Sequence, residues 1–254
     1  MEILFLGTGT SHGIPKIACK CNVCTSENPK NKRNRASLYL CLESGFSILI
    51  DTSIDLRTQA LQNNIEKVDA VFYTHYHADH IFGIDELRRF NELSGKAISI
   101  YGSRETMKEI KKIFSYIFEN IFIPGGGIPS LEINIIESRF EVDGVEFERL
   151  EGKHGIFEVS GFRTGRFAYF TDVNFISKET LDKMKGLDVL VLGALRDTPH
   201  PTHFTIDEAI GIIEKVKPKM SYLTHISHEI DHEKISSVLP ENVFLSYDGL
   251  KLTL

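Results

Sequence analysis

The sequence predicts an α/β fold in which two sheets stack on each other with helices outside them, a four-layered αββα sandwich. Short apolar runs of strand length alternate with segments of helical periodicity through the chain, and glycine or proline turns separate many of them. Strands mixed with helices in this way favour layered packing. Periodicity alone supports only the α/β class, because it does not report how sheets pack.

The first part of the chain predicts strands, then a helix, then a buried strand that leads into a histidine-rich segment. Gly45 provides a turn between two strands, and Ser103 has the side chain of a helix N-cap. We expect the helix after Ser103 to run towards Glu119, followed by a mobile glycine-rich loop at residues 123–130. The predicted strands cover residues 2–6, 36–43, 46–51, 68–74 and 97–101, and a helix covers residues 54–64.

The second part repeats this alternation. A helix is predicted over residues 206–216, where apolar positions recur at helical spacing. We treat residues 1–254 as a single domain, which a chain of this length can form. The predicted strands lie near residues 131–136, 145–150, 162–164, 168–171, 187–193, 220–225 and 246–254.

Composition argues against several classes of protein. Hydrophobic residues make up 42% of the chain, the mean hydropathy is -0.10, and no apolar run approaches the roughly 18 residues of a membrane helix. The N-terminus lacks the basic segment and cleavage site of a secretory signal, so we expect a cytoplasmic protein. A net charge of -6 disfavours nucleic acid as a partner, because phosphate backbones bind mainly Lys and Arg. A homodimer is left open.

A cluster of ligand-type side chains follows the predicted strand at residues 68–74, and strand ends usually carry functional loops. His75 and His77 alternate, so an extended chain directs both to one side. Asp79 and His80 begin the next helix and face a second point nearby. Imidazole and carboxylate groups bind metals, and this spacing therefore predicts two metal ions in one pocket.

A second candidate metal site lies in a cysteine loop at about residues 18–30. Cys19, Cys21 and Cys24 supply three thiolates, and a tetrahedral structural zinc requires a fourth ligand, for which His228 is the natural candidate. An odd cluster of cysteines in a cytosolic chain argues against disulfides. A redox role for Cys21 and Cys24 is the weaker alternative, because the thioredoxin-like context of such pairs is absent.

The HxHxDH spacing at residues 75–80 resembles the signature of the metallo-β-lactamase superfamily. The resemblance implies the metallo-β-lactamase fold and requires a later histidine, an aspartate and a final histidine, each at a strand end. The chain offers His154, Asp172 and His225 in that order. By this likeness one metal ion binds His75, His77 and His154, the second binds Asp79, His80 and His225, and Asp172 bridges both.

The chemistry of these ligands suits zinc or manganese, and also iron. We therefore expect two Zn²⁺ or Mn²⁺ ions in the active site and one structural Zn²⁺ in the cysteine loop. Asp51 matches a position that supports the metal ligands in the superfamily, although an ordinary turn aspartate is an equal alternative. His12 is open between a pocket residue and a simple turn residue.

The motifs LGTGTSHGIP, CKCNVC, HYHADH and THISH are together similar to those of the PhnP-like phosphodiesterases, over nearly the whole chain. This resemblance implies a small phosphodiester substrate, such as a cyclic ribose phosphate or cyclic nucleotide, attacked by a metal-bridging hydroxide. His203, two residues before Thr205, is then the catalytic proton donor, and His200 ranks second. Asp79 belongs to the catalytic site as a metal ligand, because a divalent cation keeps its carboxylate ionised.

Three other functions compete with this interpretation. A tRNase Z-like endoribonuclease has the same metals but a long RNA substrate, which the acidic charge and the lack of a basic arm disfavour. A thioester, lactone or β-lactam hydrolase shares the ligand signature, and His203 with Thr205 is the feature that favours phosphorus. A non-hydrolytic PqqB-like protein or a di-iron reductase is disfavoured by the intact ligand set and by His77, where di-iron proteins usually have an acid.

Overall fold

The computed structural model describes residues 1–119 and 127–254. Half of the loop predicted at residues 123–130 falls in the stretch 120–126, which lies outside the described residues. The strands are β1 (Glu2–Gly7), β2 (Ser37–Cys41), β3 (Ser47–Ile50), β4 (Ala70–Phe72), β5 (Ile98–Gly102), β6 (Leu131–Ile135), β7 (Arg139–Val142), β8 (Val145–His154), β9 (Phe157–Thr164), β10 (Phe167–Phe170), β11 (Phe175–Ile176), β12 (Val189–Gly193), β13 (Met220–Thr224), β14 (Val243–Leu245) and β15 (Lys251–Thr253). The helices are α1 (Asn22–Thr25), α2 (Leu56–Asn63), α3 (Ala78–Ile81), α4 (Leu87–Ser94), α5 (Arg104–Ile113), α6 (Ser115–Phe118), α7 (Lys178–Lys183), α8 (Ile206–Val216) and α9 (His232–Ser236).

The chain forms two compact units that interleave in sequence. The first unit contains Met1–Leu6, Ser37–Glu137 and Lys251–Leu254, and the second contains Gly7–Ala36 and Ser138–Leu250. Each unit is built on one sheet. The treatment of residues 1–254 as a single domain stays a prediction.

The first unit contains a mixed sheet with the strand order β15, β1, β2, β3, β4, β5, β6. The strands from β3 to β6 are parallel, whereas β2 pairs antiparallel with β3 and β1 with β15. All residues of β3 and β4 are buried, as expected for the apolar runs of a parallel sheet. The helices of this unit share a core with its strands, formed by Leu49, Val71, Ile100, Leu56, Leu87, Phe90, Met107 and Ile110.

The helix expected between Ser103 and Glu119 is broken at Phe114. Ser103 caps α5 as predicted, by accepting a hydrogen bond from the backbone N–H of Thr106. At Phe114 the backbone leaves the helical region, with φ at -110° and ψ at 43°, and α6 begins one residue later. The Phe114 side chain is buried, edge-on to Phe82 with ring centroids 5.6 Å apart. This packing takes precedence over the local preference for one helix.

The second unit contains a mixed sheet with the order β11, β8, β9, β10, β12, β13, β14, and β7 pairs with β8. Parallel pairs join β10 to β12, β12 to β13 and β13 to β14. Antiparallel pairs join β8 to β9 and β9 to β10. Strands β7, β11 and β14 were absent from the sequence prediction. The apolar face of α8 packs on this sheet through Ala209, Ile212, Ile213, Leu190, Leu192 and Leu223.

Candidate metal centres

The first candidate site begins where β4 ends, in the segment that carries His75, His77, Asp79 and His80. His75 and His80 are buried, with ring centroids 4.3 Å apart, and the rings of His75 and His77 lie 4.6 Å apart. Asp79 and His80 lie in the short helix α3, where Nε2 of His80 is 3.2 Å from Oδ2 of Asp79. The first unit thus brings all four predicted ligands together.

Asp51, directly after β3, is fully buried and fixes two of these histidines. Its Oδ1 accepts from the Thr74 backbone N–H at 2.8 Å, and its Oδ2 accepts from the Thr74 hydroxyl at 2.8 Å. His80 Nδ1 lies 2.7 Å from the same Oδ2. Burial raises the pKa of Asp51, while His80 and the Thr74 donors lower it, and three donors on one carboxyl favour its ionised form.

This network assigns the tautomers of both histidines. An ionised carboxylate only accepts, so His80 donates from Nδ1 and carries its lone pair on Nε2. The Thr74 hydroxyl has one proton, which it donates in the hydrogen bond to Asp51. His75 Nδ1, 2.9 Å from that hydroxyl oxygen, is therefore the donor, and its lone pair is also on Nε2. Such orientation of a ligand by a partner on its other nitrogen is typical of metal-binding histidines.

The second unit holds the remaining three predicted ligands, His154, Asp172 and His225, at the ends of strands. His154 Nδ1 donates to the Thr202 carbonyl at 2.8 Å, which places its lone pair on Nε2. Asp172 is buried, its Oδ1 accepts from the Thr171 hydroxyl at 2.7 Å, and its Oδ2 lies 3.2 Å from Nε2 of His225. Imidazole nitrogen and carboxylate oxygen are donors that divalent ions such as zinc accept.

Backbone strain marks both sets. The backbone φ angles of Asp51, Asp172 and His225 are 62°, 51° and 59°, values that residues other than glycine rarely adopt. Each lies one or two residues beyond a strand. Residues in such conformations cost of order 1–3 kcal/mol each and cluster at functional sites. The surrounding sheet therefore holds these side chains in directions that an unstrained strand end would not give them.

His203 lies among the predicted ligands of the second unit. Its ring stacks on His225 with centroids 4.8 Å apart and an interplanar angle of 14°, and it is 4.5 Å from the ring of His154. Nδ1 of His203 is 3.9 Å from Oδ2 of Asp172. His200 is less buried than His203, and its ring lies 5.0 Å from that of His203. Of the two loop histidines, His203 is thus the one placed next to the predicted ligands.

Hydrogen bonds fix the backbone directly after His203. Phe204 donates its N–H to the Val173 carbonyl at 3.0 Å and accepts from Leu195 at 2.9 Å. Thr205 then caps α8 in a capping box with Glu208.

Burial lowers the pKa of His203 to about 3. The charges of His225, His154 and His200 lower this pKa too, whereas Asp172 raises it. His203 is therefore a neutral imidazole at pH 7 in the protein alone.

The cysteine loop forms a separate candidate site. Sγ of Cys19 and Sγ of Cys21 each lie 3.3 Å from Nδ1 of His228. Cys24 joins them, and the four ligand atoms all lie within 4.8 Å of one another. Bond lengths of about 2.3 Å for Zn–S and 2.05 Å for Zn–N give roughly 3.5 Å between sulfur and nitrogen in a tetrahedral site. The donor set and its spacing fit a structural zinc.

The thiols of this loop differ in acidity. The Cys24 backbone N–H, which points at Cys21 Sγ from 3.4 Å, is the main reason that the pKa of Cys21 is lowered to about 6. Burial raises the pKa of Cys24 to about 11. A bound divalent cation deprotonates coordinating thiols outright. Disulfides are absent among the described cysteines.

Sequence reasoning missed a residue that holds the loop carrying His228. Arg33 is buried, and its guanidinium donates to the carbonyls of Ser227 and Ile230 at 3.1–3.4 Å. Those carbonyls belong to the loop that follows β13 and carries His228. No feature of the sequence around Arg33 distinguishes it from the partly exposed Lys32 and Arg35 nearby. His12, left open above, is exposed in the turn that Gly13 closes on Thr10.

Comparison with known proteins identifies the family. A family model described as the Beta-lactamase superfamily domain matches residues 47–226. The chain belongs to the β-lactamase superfamily. A crystal structure of a diphosphatase from the PhnP family superposes on this superfamily member with a TM-score of 0.92 and 40% identity, covering 100% of this chain and 97% of that one. The predicted metallo-β-lactamase fold and PhnP-like family are confirmed, and the chain is a metal-dependent hydrolase.

Other relatives of this β-lactamase superfamily member carry different names. An octanoyltransferase of Porphyromonas gingivalis is 34% identical over 99% of this chain, but the chain spans only 51% of that relative. A ribonuclease Z of Prochlorococcus marinus is 31% identical over 49% of this chain and 36% of its own length. Zn²⁺-bound PqqB from Methylobacterium extorquens has a TM-score of 0.82 at 18% identity, with 100% of both chains covered, which shows the shared fold alone.

Along the described residues, the helices are all too short or too polar to cross a membrane.

Proposed function

We propose that this hydrolase is a binuclear metal-dependent phosphodiesterase that acts on a small diester, of the cyclic ribose phosphate or cyclic nucleotide type. The observation that carries the proposal is the orientation of His75, His80 and His154. Each of these histidines uses Nδ1 for a hydrogen bond, to Thr74, Asp51 or the Thr202 carbonyl, and so keeps the lone pair of Nε2 for a metal ion. We propose that one ion binds His75, His77 and His154, that the other binds Asp79, His80 and His225, and that Asp172 contacts both.

Two divalent ions, when bound, lower the pKa of water towards 7 and offset the charge of a phosphate group. In the reaction, the oxygen of water bonds to phosphorus, one P–O ester bond breaks, and the leaving oxygen takes a proton. His203 is suited to give that proton, because it stands beside the ligands His154, Asp172 and His225. Burial keeps His203 neutral alone, so its protonated form requires the negative charge of the bound phosphate beside it.

The choice of phosphorus has two supports. The histidine-x-threonine element at His203 is held rigidly by the cap of α8, as a proton donor requires. The PhnP-family relative, 40% identical, is a diphosphatase, an enzyme that also acts on phosphate esters or anhydrides. Manganese and zinc both suit the ligands, and the small acidic protein favours a small substrate over RNA.

Hydrolysis of a thioester or other acyl ester is the second candidate. The relative named octanoyltransferase matches 99% of this chain, and that match favours acyl chemistry as the competing possibility. Because about half of that relative lies outside the match, its name does not reveal which half carries the acyl transfer.

A substrate panel tests the proposal. Purified protein loaded with Mn²⁺ or Zn²⁺ is assayed on bis-p-nitrophenyl phosphate, a 2′,3′-cyclic nucleotide, an acyl thioester and a pre-tRNA. We expect turnover of the two phosphodiesters. His203→Ala should retain its metal and lose roughly 10²–10⁴-fold in kcat, while His200→Ala, the matched control, loses much less. Thioester turnover without phosphodiester turnover would overturn the proposal in favour of the acyl reaction.

A further inference from the structure

An apolar tip stands at the end of the hairpin formed by β8 and β9, directly after the predicted ligand His154. The turn has two residues, Gly155 with φ at 63° and Ile156, whose side chain is 88% exposed. Two-residue turns favour Gly, Asn, Asp or Ser, and a β-branched side chain there adds nothing to the fold. Phe157, which follows, is also exposed, at 37%.

The strand register places Phe157 beside His154. The two residues are directly paired across the hairpin, so their side chains leave the same face of the sheet with Cβ atoms about 5 Å apart. Further back on that face, Val159 and Ile176 are buried. The apolar face therefore ends in an accessible ring next to a predicted metal ligand. Phe175, 58% exposed, pairs with Lys153 and so lies on the opposite face.

The tip is anchored to the loop that carries His203. Gly155 donates its N–H to Oδ1 of Asn174 at 2.8 Å, and Nδ2 of Asn174 donates to the Pro201 carbonyl at 2.9 Å. A Cβ on Gly155 would lie only 2.8 Å from Cγ2 of Thr202, so the turn and the loop approach as closely as glycine permits. Phe157 and Ile156 are thus held at a fixed position relative to the predicted catalytic groups.

The size of the patch limits what it binds. Two side chains present an area of a few hundred Å² at most, whereas a stable protein interface buries at least about 1,000 Å². One planar ring of a small molecule matches a single exposed phenylalanine. Stacking on such a ring is tolerant of the identity of the base, because every base has a π face.

We propose that Phe157, flanked by Ile156, binds a planar aromatic group of the substrate, such as a nucleobase, while the phosphate lies at the predicted metal ligands. The inference rests on the proposed phosphodiesterase function and deepens it, because it selects nucleotide-type diesters over diesters of ribose alone. Phe157 acts here by contact with the substrate and takes no part in bond breaking.

Two diesters with the same scissile group test this inference: 2′,3′-cyclic AMP, and the 2′,3′-cyclic phosphate of 1-O-methylribose, which has no base. For the metal-loaded protein, Phe157→Ala should raise KM for 2′,3′-cyclic AMP roughly tenfold with kcat nearly unchanged, and should leave the base-free diester unaffected. Phe157→Tyr should behave as the wild type. Phe175→Ala is the matched control, an exposed phenylalanine on the other face, and should change neither KM.

An equilibrium readout accompanies the kinetics. Calorimetry should show 3′-AMP binding roughly tenfold more weakly to Phe157→Ala than to the wild type, whereas inorganic phosphate binds both equally. Ile156→Asn, which suits the turn and cannot disturb a core, should weaken 3′-AMP severalfold. An equal rise in KM for both diesters would mean that Phe157 only positions His154. Unchanged KM values and an unchanged affinity for 3′-AMP would mean that the base binds elsewhere. Either result would overturn this inference and leave the proposed function standing. Wild-type protein that cleaves neither diester would instead overturn the proposed function.

Discussion

At the scale of single residues, one buried carboxyl controls much of the first candidate site. Asp51 receives hydrogen bonds from Thr74 and His80, and Thr74 in turn receives one from His75. Two predicted metal ligands therefore depend on a residue that binds no metal itself. Removing the negative charge while keeping the shape of the side chain separates this orienting role from simple packing.

Asp51→Asn should lower metal affinity or kcat by about 10–100-fold, because the amide cannot accept at both positions and His80 loses its fixed tautomer. Titration of the metal-free protein with Zn²⁺ and steady-state kinetics measure the two effects. Asp69→Asn is the matched control, since Asp69 also accepts hydrogen bonds at a strand but from Ser47 and Lys67. An Asp51→Asn protein with wild-type metal affinity and turnover would contradict the orienting role.

The cysteine loop gives a second prediction at this scale. Cys21→Ser should lose one zinc ion of about three per chain, because a hydroxyl does not replace a thiolate, and should keep the active-site pair. Elemental analysis after dialysis measures the loss. Cys41→Ser, on β2, should keep all the ions. Loss of every ion in Cys21→Ser would show that the loop is no independent site.

The ligands at residues 75–80 and in the cysteine loop were predicted because their residue types and spacing are unusual together, whereas His154, Asp172 and His225 followed only from the family resemblance. The sequence did not predict Thr74 or Arg33 as partners. A threonine next to the first histidine is visible in the motif, but its role follows only from the hydrogen bond to Asp51, which comes from another strand. Arg33 is buried by a loop almost 200 residues later in the chain, and such contacts leave no local pattern.

At the scale of secondary-structure elements, the start of α8 positions the proposed proton donor. The Thr205 hydroxyl accepts a hydrogen bond from the Glu208 backbone N–H at 3.1 Å, and the Glu208 carboxylate accepts one from the Thr205 N–H at 2.8 Å. His203 lies two residues before this cap. The capped N-terminus of α8 thus fixes the direction of the backbone at His203.

Thr205→Ala should destabilise the protein by about 1 kcal/mol, through loss of the cap, and should lower kcat by loosening His203. Urea unfolding and kinetics measure the two quantities. Ser177→Ala removes an equivalent cap from α7, where Ser177 accepts from Thr180, and should cost similar stability with turnover unchanged. If both variants had the same kcat as the wild type, the cap would have no part in positioning His203.

Elements with strong local patterns were predictable, and those defined by tertiary contacts were not. The mainly apolar runs of β3, β4 and β12 predicted strands, and the structure contains all three, fully buried. The break at Phe114 was missed, because it depends on the contact with Phe82 rather than on a helix-breaking residue. Strand β11 has two residues, too few to produce a periodic signal.

At the scale of the whole molecule, the strand order could not be read from the sequence. The last strand, β15, pairs with β1, and Met1 and Leu254 exchange hydrogen bonds. Alternating apolar residues predict strands but carry no information on pairing between the two ends of a chain. The family resemblance supplied the fold where local patterns could not.

The stability of the molecule should depend on pH through Asp248. This carboxyl accepts from the Thr8 hydroxyl at 2.8 Å and from the Asn34 N–H, and burial raises its pKa from 3.8 to about 7. A raised folded-state pKa stabilises the protein fully below about pH 4, and this contribution is lost as the pH rises through 7.

Between pH 5 and pH 8, metal-loaded wild type should therefore lose roughly 2 kcal/mol in free energy of unfolding relative to Asp248→Asn, which lacks the titrating group. Urea unfolding at the two pH values measures the difference. A constant difference between wild type and variant would show that Asp248 is ionised throughout this range.

We propose that seven side chains from distant parts of the chain bind two metal ions in one site. Anomalous diffraction from crystals grown with zinc locates these ions directly. We expect two peaks about 3.5–4 Å apart between the predicted histidines, with Asp172 contacting both, and a third peak in the cysteine loop. A single peak at the histidines, or two peaks with no shared Asp172, would contradict the binuclear site.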